Sequence, residues 1–204
     1  MDKRDYINYW NYFIFIDKDL FNTNRYIQHS EKNLMAYSSE FARIILVACA
    51  EIDTICRLLC KEIDNTCDFS DDSTRSGDIR QYSGIILSRY PKLTTTEVEL
   101  TTLQIKKKSW KGWENKPTYQ SPQWWKDYQM IKHYRHLNFE KANLENALLS
   151  VSSLFILLLY LHKTAYGFTF NPELNEPKCM MSLSLFDMDD RVLDKYEYES
   201  LPDF

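Results

Sequence analysis

Two long segments with helical apolar spacing constrain the fold of this chain more than any other feature. In residues 33–64, apolar side chains recur every three or four positions, the spacing of one helix face, at Phe41, Ile45, Ala48, Ile52, Ile55 and Leu59. A second helical pattern covers residues 123–163, and we expect one helix there with a bend near residues 150–153. Such helices bury their apolar faces against each other, so the sequence predicts a mainly α bundle with two long core helices.

The segments around these helices complete a single predicted domain. Residues 5–21 favour another helix, and Asp78 is placed to cap a short helix over residues 79–90 that must end near Pro91. Residues 93–122 contain Gly112 and two prolines and predict irregular, partly extended chain. We therefore expect one helical domain over residues 1–170, with an insert at about 64–122, and an acidic C-terminal extension over residues 171–204.

Composition predicts a cytoplasmic protein without a membrane span, metal site or cofactor. The apolar run over residues 147–161 is shorter than the roughly 20 residues that cross a bilayer, and the first residues lack an apolar signal core. The five cysteines are an odd number, which suits reduced thiols. Cys49, Cys56 and Cys60 lie on one helical stripe and are interpreted as core residues, because no ligand set accompanies them.

Positive charge and aromatic side chains are concentrated in residues 104–141. This stretch has nine basic and three acidic residues, a net charge of +6 in a chain of net charge −4. Single-stranded RNA is bound by cations that contact phosphates and by rings that stack on bases. The candidate RNA-binding residues are Lys106, Lys107, Lys108, Lys111, Trp124, Trp125 and Lys126. The alternative is that the tryptophans pin the insert onto the bundle and the lysines form a solvated face.

The densest cluster of candidate catalytic residues is "YQMIKHYRH", residues 128–136. Metal-independent RNA cleavage needs groups that accept and donate protons near neutral pH, as imidazole can, and a cation facing the phosphorus. His133 is the proton-transfer candidate, with Lys132 and Arg135 as cations. The alternative for His133 is a core or groove-lining histidine held by a hydrogen bond. For His29, His136 and His162 we expect structural or surface roles.

Helix geometry sets the expected orientation of these side chains. In an unbroken helix, Gln129 and His133 point toward the buried stripe, whereas Lys132 and Arg135 lie on a neighbouring strip, with Arg135 about 200° from His133. One chain would then not aim His133 and Arg135 at the same phosphate. A two-fold dimer that shares a groove would overcome this, so we expect any activity to depend on dimerisation.

The arrangement of two long helices, a variable insert and a polar stretch ending in histidine is similar to the HEPN superfamily. Within it, the chain resembles a widespread group of uncharacterised bacterial proteins over residues 38–60, 78–92 and 122–161. The resemblance implies an α-helical bundle, often dimeric, and metal-independent ribonuclease activity in toxin-antitoxin, abortive-infection or CRISPR systems. The HEPN signature places an arginine and then a polar residue before its histidine; aligned on His133, these positions are Tyr128 and Gln129, so the histidine matches and the arginine does not.

The sequence therefore leads to two hypotheses of different classes. The first is a HEPN-like ribonuclease, or an RNA-binding relative without cleavage, that uses residues 128–135 in bacterial defence or stress response. The second is a non-catalytic interaction subunit, antitoxin-like or part of a defence complex, suggested by Tyr128 at the arginine position and by the acidic extension. The expected partners are RNA and either a second copy of the chain or a protein of a defence complex.

Overall fold

Most of the described chain is helical. The structure is a computed structural model that describes residues 1–67, 69, 77–100 and 105–167. Its helices are α1 (Lys3–Thr23), α2 (Ser39–Ile63), α3 (Ile79–Arg89), α4 (Gln123–Tyr134) and α5 (Leu144–Tyr166). Strands β1 (Val98–Leu100) and β2 (Ile105–Lys107) pair antiparallel within the insert. The predicted mainly α fold is confirmed; the predicted extension over residues 171–204 lies outside the described residues.

Helices α2 and α5 form the centre of the core. Every residue of α5 from Asn146 to Lys163 except Leu149 is buried, as expected for a helix that is apolar on all sides. Helix α1 packs on both α2 and α5, and α3 and α4 pack on α2. Cys49, Cys56 and Cys60 are fully buried, as their stripe predicted, and the described residues contain no group of potential metal ligands.

Two helix starts follow the capping residues in the sequence. The Ser38 hydroxyl accepts a hydrogen bond from the Phe41 amide at 3.1 Å, at the start of α2. Asp78 accepts from the Arg80 and Gln81 amides at 2.9 Å each, and Gln81 accepts from the Asp78 amide in return. This reciprocal pair is a capping box, which satisfies orphan amides of the first turn. The predicted cap of α3 at Asp78 is confirmed.

The prediction of one helix over residues 123–163 is wrong. Helix α4 ends at Tyr134, residues 135–137 and 139–141 are short 3-10 turns, and α5 starts at Leu144. The cause is tertiary: the amides of Leu144 and Glu145 donate to carbonyls of Ala36 and Leu34, at 3.0 Å each. Helix α5 is continuous through residues 150–153, where the Ser150 and Ser152 hydroxyls donate to carbonyls of their own helix.

Helix α5 is the one described helix that is long and apolar enough to cross a membrane. It has 23 residues, so it is longer than the apolar run seen in the sequence. Its most apolar window has a mean hydropathy of 1.8 and is 89% buried inside the fold. This burial is that of a core helix, since a membrane-spanning helix would offer an apolar face to lipid.

A buried carboxyl group on α1 makes stability depend on pH. Asp17 is 4% exposed, its Oδ1 has no hydrogen-bond partner among the described residues, and burial raises its pKa from 3.8 to about 7. Between these two values the folded state binds more protons than the unfolded state, so this group's contribution to stability falls as pH rises from about 4 to 7.

We therefore expect Asp17→Asn to stabilise the protein at alkaline pH, where the wild type must bury a carboxylate. The gain in free energy of unfolding should be about 4 kcal/mol at pH ~8 and close to zero at pH ~4. Urea unfolding of both proteins at the two pH values measures it. An effect of equal size at both pH values would contradict the burial argument.

Candidate functional site

The break between α4 and α5 forms one wall of an open groove of about 850 Å³. We name it the cationic groove; its lining residues are Ser39, Leu46, Ile131, Lys132, His133, Arg135, His136 and Phe139. Lys132 and His133 come from the last turn of α4, and Arg135 and His136 from the 3-10 turn that follows. None of the described residues that line the groove is acidic. Two imidazoles and two permanent cations therefore share one solvent-accessible surface.

The orientation predicted for His133 is wrong. The buried face of α4 consists of Trp124, Trp125, Tyr128 and Ile131, and His133 is exposed. The prediction extended the apolar stripe of α5 backwards through a helix that is in fact interrupted. Because Arg135 lies in the turn after α4, it lines the same groove as His133. A second protomer is thus not needed to bring these two side chains to one groove.

The composition of the cationic groove suits metal-independent phosphodiester chemistry. Its apolar floor, from Leu46, Ile131 and Phe139, leaves the charged side chains as the main polar groups, together with the Ser39 hydroxyl. Imidazole groups can exchange protons near neutral pH, and Lys or Arg can stabilise an oxyanion. Among the described residues, no group of His, Cys, Asp or Glu could hold a metal ion.

Asp127 fixes the shape of the break. Its Oδ1 accepts hydrogen bonds from Lys141 Nζ at 2.7 Å and from Gln123 Nε2 at 3.1 Å, and its Oδ2 accepts from Asn146 Nδ2 at 3.2 Å. These partners belong to the second 3-10 turn, to α4 and to α5. Because Asn146 Nδ2 also donates to the Lys141 carbonyl at 2.9 Å, the network ties the turn to both helices. It thereby positions the segment that carries Arg135 and His136.

We expect Asp127→Ala to destabilise the fold by about 2 to 4 kcal/mol, because it leaves the half-buried Lys141 ammonium without its carboxylate. The matched control is Asp19→Ala. Asp19 pairs with Arg43 at 2.6 Å with both side chains over 40% exposed, so its loss should cost less than about 1 kcal/mol. Urea unfolding measures both variants. Equal small losses would mean that Asp127 does not hold the break.

The other two catalytic candidates are not among the described residues that line the cationic groove. Tyr128 and Gln129 line a second groove of about 810 Å³, which we name the α3–α4 groove; Lys132 lines both grooves. Tyr128 is 6% exposed, and burial raises its pKa to about 12. It is therefore a neutral phenol outside the cationic groove. Of the five predicted catalytic residues, the structure brings Lys132, His133 and Arg135 together.

His136 is a groove residue that the sequence analysis assigned to a structural or surface role. No motif singles out His136. Its position in the cationic groove depends on the helix break, which was not predicted from the sequence. The expectation for the other two histidines is confirmed: His29 and His162 are buried, and burial lowers the pKa of each to about 4. The His29 ring also shares a 2.8 Å hydrogen bond with the Thr23 hydroxyl.

The predicted RNA-binding tryptophans are core residues. Trp124 is 2% exposed and donates from Nε1 to the Ser109 carbonyl at 2.6 Å, and Trp125 is 7% exposed. Trp124 also packs against Trp110, 5.4 Å between ring centroids. Buried rings offer no open face on which a base could stack. The burial of these tryptophans therefore fits the alternative interpretation, in which they pack the insert against the bundle.

The predicted RNA-binding lysines occupy different surroundings. Lys107 pairs with Glu145 at 3.1 Å, and Lys108 lies 3.9 Å from Glu97. Lys106 and Lys111 are exposed, and none of these four lines either groove. Lys126 is exposed and lines the α3–α4 groove. Only Lys126 among the predicted RNA-binding lysines therefore adjoins the candidate site.

No family model, curated protein or solved structure matches the chain. The resemblance to the HEPN superfamily accordingly stays a prediction.

Proposed function

We propose that this protein is a metal-independent endoribonuclease, HEPN-like in type and cytoplasmic, that acts in bacterial defence or stress response. The observation that carries the proposal is the cationic groove, in which Lys132, His133, Arg135 and His136 meet and whose described lining residues include no acid. A polyanion is attracted to such a surface even though the whole chain has a net charge of −4.

The groove can supply each element of RNA cleavage. One imidazole, from His133 or His136, accepts the proton of the 2′-hydroxyl while the 2′-oxygen attacks phosphorus. The other imidazole protonates the 5′-oxygen as its bond to phosphorus breaks. Lys132 and Arg135 stabilise the negative charge that grows on the non-bridging oxygens. The products are a 2′,3′-cyclic phosphate and a free 5′-hydroxyl, and no other reactant is consumed.

The cations of the groove offer a substitute for the arginine of the HEPN signature. That arginine would stand at Tyr128, a buried position that lines the α3–α4 groove. In this chain, Lys132 and Arg135 are the permanent charges beside His133. The proposal therefore does not depend on the missing arginine.

Cleavage of labelled single-stranded RNA in excess EDTA tests the proposal. The wild type should cut the RNA, and the double variant His133→Ala/His136→Ala should not. Equal inertness of the two proteins would overturn the enzyme proposal, and equal activity would overturn the assignment of the reaction to the cationic groove.

A second candidate function, an interaction subunit, is favoured by exposed apolar side chains around the break. Met35, Tyr37, Tyr134 and Leu137 are each more than half exposed, Leu137 at 70%. If a second copy covers this patch, light scattering should show a dimer that Leu137→Lys converts to a monomer. A wild-type monomer at high concentration would exclude self-association through this patch.

A further inference from the structure

The α3–α4 groove is lined by three cations that form no ion pair with any described residue. It lies between the start of α3 and α4, with Arg80 on one side and Lys126 and Lys132 on the other. All three side chains are exposed. None of them forms an ion pair within the part of the chain that the structure describes.

The two acidic residues of this groove are already occupied by other partners. Asp53 pairs with Arg57 at 2.5 Å and accepts a hydrogen bond from the Tyr82 hydroxyl at 3.3 Å. Asp78 accepts from two backbone amides of α3, as its cap. Both carboxylates therefore already have hydrogen-bond or ion-pair partners within the protein. The three cations line the groove.

Aromatic rings hold two of these cations in place. The Arg80 guanidinium lies 5.7 Å from the centre of the Tyr119 ring, and the Lys132 ammonium lies 5.7 Å from the centre of the Tyr128 ring. Cations at this distance are attracted by the ring face. The ring contacts keep both charges at the groove without neutralising them, which favours an anionic ligand.

Lys132 joins this groove to the cationic groove, since it lines both. Along α4, Lys126 precedes Lys132 by six residues, about 9 Å of helix rise, so the α3–α4 groove continues from the cationic groove toward the start of α4. A strand bound in the cationic groove can therefore pass Lys132 and continue between Lys126 and Arg80. A dinucleotide held in the cationic groove does not extend into the α3–α4 groove.

Building on the proposed function, we propose that the α3–α4 groove binds the flanking part of the single-stranded RNA that enters the cationic groove. Arg80 and Lys126 contact its phosphates, and Gln129, which is half-buried in the groove wall, is within reach of its bases. Arg80 and Lys126 are positioning residues here, remote from the bond that is cut. The site therefore selects RNA by length.

The test measures binding of 2′-O-methyl oligonucleotides, which lack the nucleophile and stay intact. Fluorescence anisotropy with oligonucleotides of about two and about fourteen nucleotides, over a range of salt concentrations, compares the wild type with Arg80→Gln/Lys126→Gln. The matched control is Arg25→Gln/Lys92→Gln, a pair of exposed cations that line neither groove.

The groove variant should bind the long oligonucleotide about three- to tenfold more weakly, and the slope of log K against log salt should fall by about 1.4, or ~0.7 for each lost phosphate contact. Binding of the short oligonucleotide and both affinities of the control should stay unchanged. Unchanged binding of the long oligonucleotide, or equal weakening for both lengths, would overturn the inference.

Failure of this inference is separable from failure of the proposed function. A wild type that cuts RNA while the groove variant binds normally overturns the inference alone. A wild type that shows the predicted length dependence but cuts no RNA overturns the enzyme proposal alone. A wild type that binds neither oligonucleotide overturns the inference. The cleavage assay in EDTA then decides the enzyme proposal.

Discussion

Replacing His133 with alanine is expected to lower the single-turnover rate of RNA cleavage in EDTA by about 10²- to 10⁴-fold, the usual contribution of a proton-transfer group. His136→Ala should have an effect of the same order, because the reaction needs one group to accept a proton and another to donate one. Both side chains are exposed, so the free energy of unfolding should change by less than about 0.5 kcal/mol.

Rates measured as a function of pH separate the two histidines. Loss of the proton acceptor should remove the fall in rate on the acidic side, and loss of the donor should remove the fall on the alkaline side. Lys32→Ala, an exposed change outside both grooves, serves as the control and should leave the profile unchanged. If His133→Ala cuts at the wild-type rate, His133 has no catalytic role.

Trp110→Ala is expected to cause the largest loss of stability, about 3 to 5 kcal/mol. The Trp110 side chain is fully buried and donates from Nε1 to the Ser153 carbonyl of α5 at 3.1 Å. Its ring centre lies 4.5 Å from that of Trp113 and 5.4 Å from that of Trp124. The change therefore leaves a large cavity where the insert meets the central helix.

Denaturant unfolding of Trp110→Ala beside Leu137→Ala measures this effect. Leu137 is 70% exposed, so truncating it should change stability by less than about 0.5 kcal/mol. A loss below about 1 kcal/mol for Trp110→Ala would mean that the insert is not part of the cooperative core.

The features predictable from the sequence are those fixed by nearby residues. The apolar spacing of α2 reflects which face it buries, and Asp78 with Gln81 forms a cap within one turn. The break after Tyr134 has a different origin. It depends on backbone hydrogen bonds to the segment around Ala36, which lies over 100 residues earlier in the chain. The spacing of nearby apolar residues cannot reveal such distant partners.

The same distinction applies to the candidate site. The residue types of "KHYR" indicated proton transfer and charge, and Lys132, His133 and Arg135 do line one groove. Their orientation could not be predicted, because it follows from the break. Tryptophans near lysines fit both RNA stacking and core packing, and only the burial of Trp124 and Trp125 separates the two. Arg80 reaches the α3–α4 groove from a distant helix, so no local motif marks it.

The most direct test of the central claim compares two single-stranded RNAs that differ at one atom. After the cleavage position of a labelled RNA has been mapped, a second RNA carries a 2′-deoxy nucleotide on the 5′ side of that bond. In EDTA, the wild type should cut the first RNA to a 2′,3′-cyclic phosphate and leave the matching bond of the second intact. Equal cleavage of both RNAs at that bond, or cleavage only when a divalent metal is added, would contradict a metal-independent ribonuclease in the cationic groove.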